Sequence, residues 1–171
     1  AHIASGKADG LDGKPATRKE VLKSRSFWAI AIPRFLAEPA WQTFNFFIPL
    51  YLVAVLKLDL KSIALWAWLP FLAADFGSLA AGLLPNWLMK RGASLLASRK
   101  ITMTIGALCM IGPACIGLAG SPGLAIALFC VGGFAHQMLN GALLTLCSDV
   151  FDTKTVGTAS GMTGTIAWTG G

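Results

Sequence analysis

From position 27 onward the chain is a succession of apolar stretches, nearly free of charge and long on the scale of a lipid bilayer. They run over 27–56, 62–89, 101–119, 123–147 and 156–171. A helix needs about 20 residues to cross the hydrocarbon, so the first four suffice and the first two have length to spare for tilt or a bend. None alternates apolar and polar residues with period two, which excludes strands of a membrane barrel. Hydrophobic residues make up 55% of the 171 and charged residues 13%, about half the share usual in soluble proteins. So little polar surface cannot cover a globule, and lipid is the solvent such a chain requires. The expected fold class is all-α, a polytopic transmembrane helix bundle.

Residues 1–26, with Pro15 and a closing basic cluster of Lys19, Lys23 and Arg25, read as a solvated loop. They are no signal peptide, because the apolar run that follows is too long and lacks a small-residue cleavage site. The chain opens on Ala1 and stops at Gly171 inside an apolar run, so it is expected to be an internal piece of a longer polypeptide and not to fold stably alone. Cations set orientation in the bilayer. Six lie in the leading loop, four over 90–100 and one at Lys154, whereas the alternate loops hold only Lys57 and Lys61. Residues 1–26, 90–100 and 148–155 are therefore expected on the cytoplasmic side of the inner (plasma) membrane. Pro33, Pro39 and Pro49 in the first segment suggest a bent helix lining a cavity, since the carbonyls they free need other partners. Gly157 and Gly161 form a small-residue step that lets helices approach closely. Cys109, Cys115, Cys130 and Cys147 lie singly, without metal-ligand spacing.

Ionisable groups at membrane depth are costly and therefore informative. Arg34 and Glu38, four apart, share a helix face and have the spacing of an internal ion pair. Gln42 continues that face, flanked by Trp41 and Asn45. Guanidinium grips a carboxylate through two parallel hydrogen bonds, amides read hydroxyls and indole stacks on a sugar ring, so the stripe points to an acidic, hydroxylated small molecule. His136, Gln137 and Asn140 form a second polar stripe, suited to ligand contact, to proton relay, or to a hydrogen bond between helices. Asp75 is either a helix–helix hydrogen-bonding group or a proton carrier. Thr163, Thr165 and Trp168 are candidates for a further cavity wall. No paired carboxylates, catalytic triad, HExxH or phosphate-binding loop is present, so no enzyme, cofactor or metal centre is expected.

At these residues the chain resembles a known family. Arg34-Phe-Leu-Ala-Glu38-Pro39-Ala-Trp41, followed by Phe46-Phe47-Ile48-Pro49-Leu50-Tyr51-Leu52, is similar to the seventh helix of major facilitator superfamily transporters, in their anion:cation symporter branch. Leu69 to Ser78 looks like the eighth. Gly132-Gly133-Phe134-Ala135-His136-Gln137 and Gly161-Met162-Thr163-Gly164 with Trp168-Thr169-Gly170 look like the tenth and eleventh helices of hexuronate transporters. Asn86, Lys90, Arg91 and Gly92 resemble, in degenerate form, the cytoplasmic Gly-Asp-Arg-Gly-type loop.

The resemblance implies a partial major facilitator fold, the central loop and helices seven to eleven, lacking its N-terminal half. It implies proton-coupled uptake of a small anionic sugar acid (glucuronate or galacturonate) by alternating access, with no nucleic-acid partner. Substrate contacts are expected at Arg34, Trp41, Gln42, His136, Gln137, Asn140 and Trp168, with Glu38 and Asp75 as proton relays or structural groups. Two alternatives stay open: transport of another organic anion, such as an aldonate or dicarboxylate, and a membrane module that binds without translocating.

Overall fold

The structure is a computed structural model that describes residues 16–55, 57 and 59–171. Every regular element among them is helical: α1 (Arg18–Lys23), α2 (Arg25–Ala54), α3 (Leu60–Trp66), α4 (Leu69–Lys90), α5 (Leu95–Cys109), α6 (Ile111–Ala114), α7 (Pro122–Val150) and α8 (Val156–Gly170), with a 3-10 turn at Ile116–Leu118. Three stretches are long and apolar enough to cross a bilayer: Lys61–Lys90, Leu95–Leu118 and Pro122–Val150. With 30 residues α2 has the length, about 45 Å at 1.5 Å per residue. Arg34, Glu38, Gln42 and Asn45 dilute its apolar character, and it falls outside that set.

The helix boundaries show where local chemistry overrides the coarse apolar pattern. Part of the expected leading loop is the helix α1. Thr17 caps it, and the Glu20 carboxylate accepts from the Thr17 N–H at 2.6 Å, a capping box that satisfies donors otherwise left unpaired. The rest of that loop, before Ala16, lies outside the described residues. The second apolar run is broken at Ala67–Trp68 into α3 and α4. Pro70 opens α4, where a residue without an N–H removes no intrahelical bond. α5 starts six residues earlier than the apolar run, because the Ser94 hydroxyl accepts from the Ala97 N–H at 3.2 Å and caps it. The remainder breaks at Met110 and Cys115 into α6 and the turn, and Pro113 inside α6 has no N–H to continue the hydrogen-bond ladder of α5. α2 stays helical through Pro33, Pro39 and Pro49. Between α4 and α5, Gly92 takes a φ of 94°. Its N–H bonds Met89 O while Ala93 N–H bonds Leu88 O, a left-handed cap that a residue with a Cβ adopts only under strain.

The chain forms two compact units, with α2 and α7 running through both. The first combines the described residues up to Pro39 with Leu143–Gly171. Its buried residues include Val21, Phe27, Ile30, Leu143, Cys147, Phe151, Ala159 and Ala167, and the Ala16 N–H reaches the Thr155 hydroxyl at 3.0 Å.

The second unit is Ala40–Ala142. Ile48, Leu52, Ile126 and Phe129 form its apolar cluster, with Phe44 and Tyr51 set edge-on to Phe129. Pro70, Ala74, Gly77 and Ala81 make one buried face of α4. A Cβ at Gly133 would overlap the Pro70 carbonyl, one at Gly77 would overlap Phe134, and one at Gly141 would lie 2.8 Å from the Ala81 Cβ. The pairings rise together along both helices, so α4 and α7 run in the same direction, backbone against backbone. Without a hydrophobic force between helices in lipid, such small-residue contact supplies the attraction. Phe46, Leu50, Leu79, Leu83 and Leu118 stay exposed, as side chains facing acyl chains do.

Candidate functional site

In the first unit Arg34 projects from α2 and is half-buried. Its Nη1 donates to the Thr163 hydroxyl of α8 at 3.0 Å. Thr163 is fully buried, and its own proton goes to the Ser160 carbonyl at 3.0 Å, so the hydroxyl is oriented to accept from Arg34. The Arg34 Nε is buried and has no hydrogen-bond partner among the described residues. Nor is an ion pair with Glu38 recorded among them, although the i,i+4 spacing would permit one. The cation thus turns toward α8 and not along its own helix. A guanidinium carries five N–H donors in a fixed fork. Holding Nη1 on Thr163 fixes the fork, with Nε enclosed and without a hydrogen-bond partner among the described residues.

Glu38 is half-buried, and Trp168, near the end of α8, is 71% exposed. The Thr165 hydroxyl donates to the Gly161 carbonyl at 3.1 Å, which uses its proton inside α8. A cleft of about 590 Å³ in this unit is lined by Arg18, Leu22, Gly157, Gly161, Met162 and Ile166 among others. Thr165, one of the wall candidates from sequence, lines it as well, whereas Arg34, Trp41, Gln42, His136, Gln137, Asn140 and Trp168 do not.

In the second unit three helices converge on one indole. The His136 imidazole of α7 stacks on Trp41 of α2, with centroids 5.0 Å apart and planes 13° from parallel. Phe71 of α4 meets Trp41 edge-to-face at 6.1 Å and 83°. Both are favourable geometries for aromatic rings. His136 is 1% exposed and Trp41 half-buried, so the indole is the more accessible ring of this pair. Asn45 Nδ2 donates to the Trp41 carbonyl at 3.0 Å. Gln42, Gln137 and Asn140 are half-buried, and the two amides on α7 meet at 3.5 Å, the long limit of a hydrogen bond. Asp75 lies on the exposed side of α4, one turn beyond Phe71, and no hydrogen bond to it is recorded among the described residues.

Phe71 is the group that sequence reasoning passed over. Its one signal was its position four before Asp75, on the same face of α4. Thr163 was named only as a weak wall candidate, and its role as the acceptor for Arg34 depends on packing 129 residues apart. Among the described residues no cluster of His, Cys, Asp or Glu is able to hold a metal ion, and the four cysteines are free thiols.

Comparison with known proteins agrees with this architecture. The Hexuronate transporter of Escherichia coli (strain K12) is 53% identical over 150 residues, 87% of this chain and 35% of that protein. The Galacturonate transporter of Dickeya chrysanthemi is 50% identical over 109 residues, 63% of this chain and 32% of its own. A more distant relative is the human Sodium-dependent phosphate transport protein 4, 27% identical over 99 residues, 58% of this chain and 24% of that protein. The chain spans about a third of the length of the first two. The sequence profile of the Major Facilitator Superfamily matches residues 3–171. This multi-pass helical membrane chain, with backbone-close α4 and α7 and polar groups set on α2, α7 and α8, belongs to the Major Facilitator Superfamily.

Proposed function

We propose that the chain is part of a secondary transporter that takes up hexuronates, such as glucuronate or galacturonate, by alternating access. The observation that carries this reading is the state of Arg34: Nη1 committed to Thr163, Nε buried without a partner among the described residues. A buried guanidinium edge is costly unless an anion meets it, and a carboxylate matches that edge with two parallel hydrogen bonds. The similarity to proteins named for hexuronate and galacturonate supports the same ligand class.

In this reading Arg34 binds the uronate carboxylate. In the second unit Trp41 presents an aromatic face to the sugar ring, while Gln42, Gln137 and Asn140 read its hydroxyls. Trp168 is a peripheral ring contact. Glu38 and Asp75 are the ionisable groups from which a proton carrier is drawn, and protonation favours the step that releases substrate inside. No residue is assigned a catalytic role, because the substrate crosses unchanged. Residues 1–26, 90–100 and 148–155 face the cytoplasm of a cell whose inner membrane holds the protein, a placement supported by the eleven loop cations on that side against two.

A second cargo class has one observation in its favour: the Probable L-galactonate transporter of Escherichia coli (strain K12) is 33% identical over 92 residues. Aldonates carry the same carboxylate without a closed ring. Competition for uptake by the full-length protein separates the two. Glucuronate and galacturonate should displace labelled galacturonate, and galactonate and neutral galactose should not. Displacement by galactonate at equal concentration would move the assignment to aldonates, and displacement by galactose would remove the role of Arg34.

A further inference from the structure

We infer that His136 is a positioning residue, which acts on sugar recognition through Trp41 and not by touching the substrate. This rests on the reading of Trp41 as the platform for the sugar ring. Three observations within the second unit carry it. The imidazole is 1% exposed, so a ligand does not reach it without rearrangement. It lies nearly parallel to the Trp41 indole at 5.0 Å, an offset stack. Phe71 meets the same indole at 83°. Trp41 is thereby gripped by one ring from α7 and one from α4.

Stacking on sugars depends on a fixed ring plane, and an indole has two side-chain torsions free to move it. A platform held in advance loses little freedom when substrate arrives, and prior ordering of this kind raises affinity without a new contact. The grip is itself anchored by backbone. Gly133, one helical turn before His136, lies against the Pro70 carbonyl, one residue before Phe71. The stacking ring and the edge-on ring are therefore set by a single helix–helix contact. Their spacing about Trp41 is fixed where the two helices cannot approach further.

The requirement on position 136 is then a flat ring, whatever its polar atoms do. In the full-length transporter reconstituted into liposomes, with galacturonate as probe, His136→Ala should raise KM by roughly 2- to 10-fold, the range expected for losing an aromatic pair. Its maximal rate should stay within about twofold. His136→Phe, which keeps a stacking ring and removes both ring nitrogens, should restore KM, and His136→Gln, polar but not aromatic, should behave like His136→Ala. In a Trp41→Ala background His136→Ala should change KM no further, as expected when two residues act as one unit. A residue that merely supports the fold would lower the amount of active protein, hence the maximal rate, and leave KM alone.

The inference is overturned if the phenylalanine variant, folded, is as defective as the alanine variant while glutamine rescues. It is overturned equally if the His136 and Trp41 effects multiply independently. Should Trp41→Ala itself leave galacturonate uptake unchanged, the platform reading falls and the inference falls with it. If Trp41→Ala impairs uptake and His136→Ala does not, only the inference falls. The glutamine variant and the double substitution decide the matter even if the bulkier phenylalanine does not fold.

Discussion

Replacing Gly77 by alanine probes the contact on which the α4–α7 arrangement depends. A methyl group there would stand 2.8 Å from the carbonyl carbon and 2.9 Å from the Cα of Phe134, with the oxygen nearer still. Carbon atoms rest about 3.5–4.0 Å apart, so relieving the carbonyl-carbon contact alone requires the two backbones to separate by at least about 0.7 Å. No flexible side chain is available to yield instead. Overpacking of this kind costs about 1–3 kcal/mol, roughly a 5- to 150-fold change in the folded population. Alanine also favours helix over glycine by about 1 kcal/mol, and that term must be removed before the packing term is read. Gly82, five residues on along α4, has nothing within 4 Å of its would-be Cβ, so Gly82→Ala reports the helix term alone. For a domain of this size each kcal/mol moves Tm by about 2–4 °C. Gly77→Ala should therefore unfold roughly 2–12 °C below Gly82→Ala when the full-length protein is heated in detergent. Gly133→Ala should behave like Gly77→Ala, and the double variant should lose less than the sum, since one displacement relieves both overlaps. Equal melting temperatures for Gly77→Ala and Gly82→Ala would refute the backbone contact.

Three further outcomes are expected. Thr163→Val keeps the side-chain volume but removes the acceptor for Arg34 Nη1. A hydrogen bond to a charged group is worth about 1.5–3 kcal/mol, so galacturonate should bind at least several-fold more weakly, Thr163→Ser should bind normally, and equal binding by both variants would show that the bond does not position Arg34. The Thr17 N–H, aided by the Thr17 hydroxyl, holds the Glu20 carboxyl below its ordinary range. Its support of α1 is thus in full force above the ordinary carboxylate pKa and is lost as pH falls through the lowered one. A spin label at Lys19→Cys should gain mobility on acidification, and Glu20→Gln, which keeps the cap, should abolish that pH dependence; an unchanged profile would place the titration elsewhere. In a cysteine-free background, a membrane-impermeant thiol reagent added outside cells should label Lys57→Cys and spare Lys100→Cys, and the reverse pattern would invert the topology.

Much of the fold is legible in the sequence because apolar runs of bilayer length leave a helix no serious competitor in lipid. The Thr17–Glu20 cap is also written locally, but the surrounding charge masks so short a helix within a segment that reads as loop. The break at Ala67–Trp68 has a local sign, Pro70, that an unbroken apolar run conceals. Partner choice is harder to read. Glu38 is the neighbour that helical spacing offers Arg34, yet the guanidinium reaches Thr163, because the separation of α2 and α8, not the spacing along α2, decides which acceptor lies within 3.0 Å. His136 likewise reads as a polar group suited to a ligand. Only the packing of α7 against α2 turns it beneath an indole.

Whether Arg34 meets the carboxylate of the cargo is decided by equilibrium binding to the purified full-length protein. Titrating galacturonate and uncharged galactose into wild type and Arg34→Ala separates the charge contribution from the rest of the sugar. Wild type should prefer the acid strongly, and Arg34→Ala should lose roughly 10- to 150-fold in galacturonate affinity, the cost of a charged hydrogen bond, while its weak binding of galactose hardly changes. Undiminished preference for the acid in Arg34→Ala would contradict contact between Arg34 and the carboxylate.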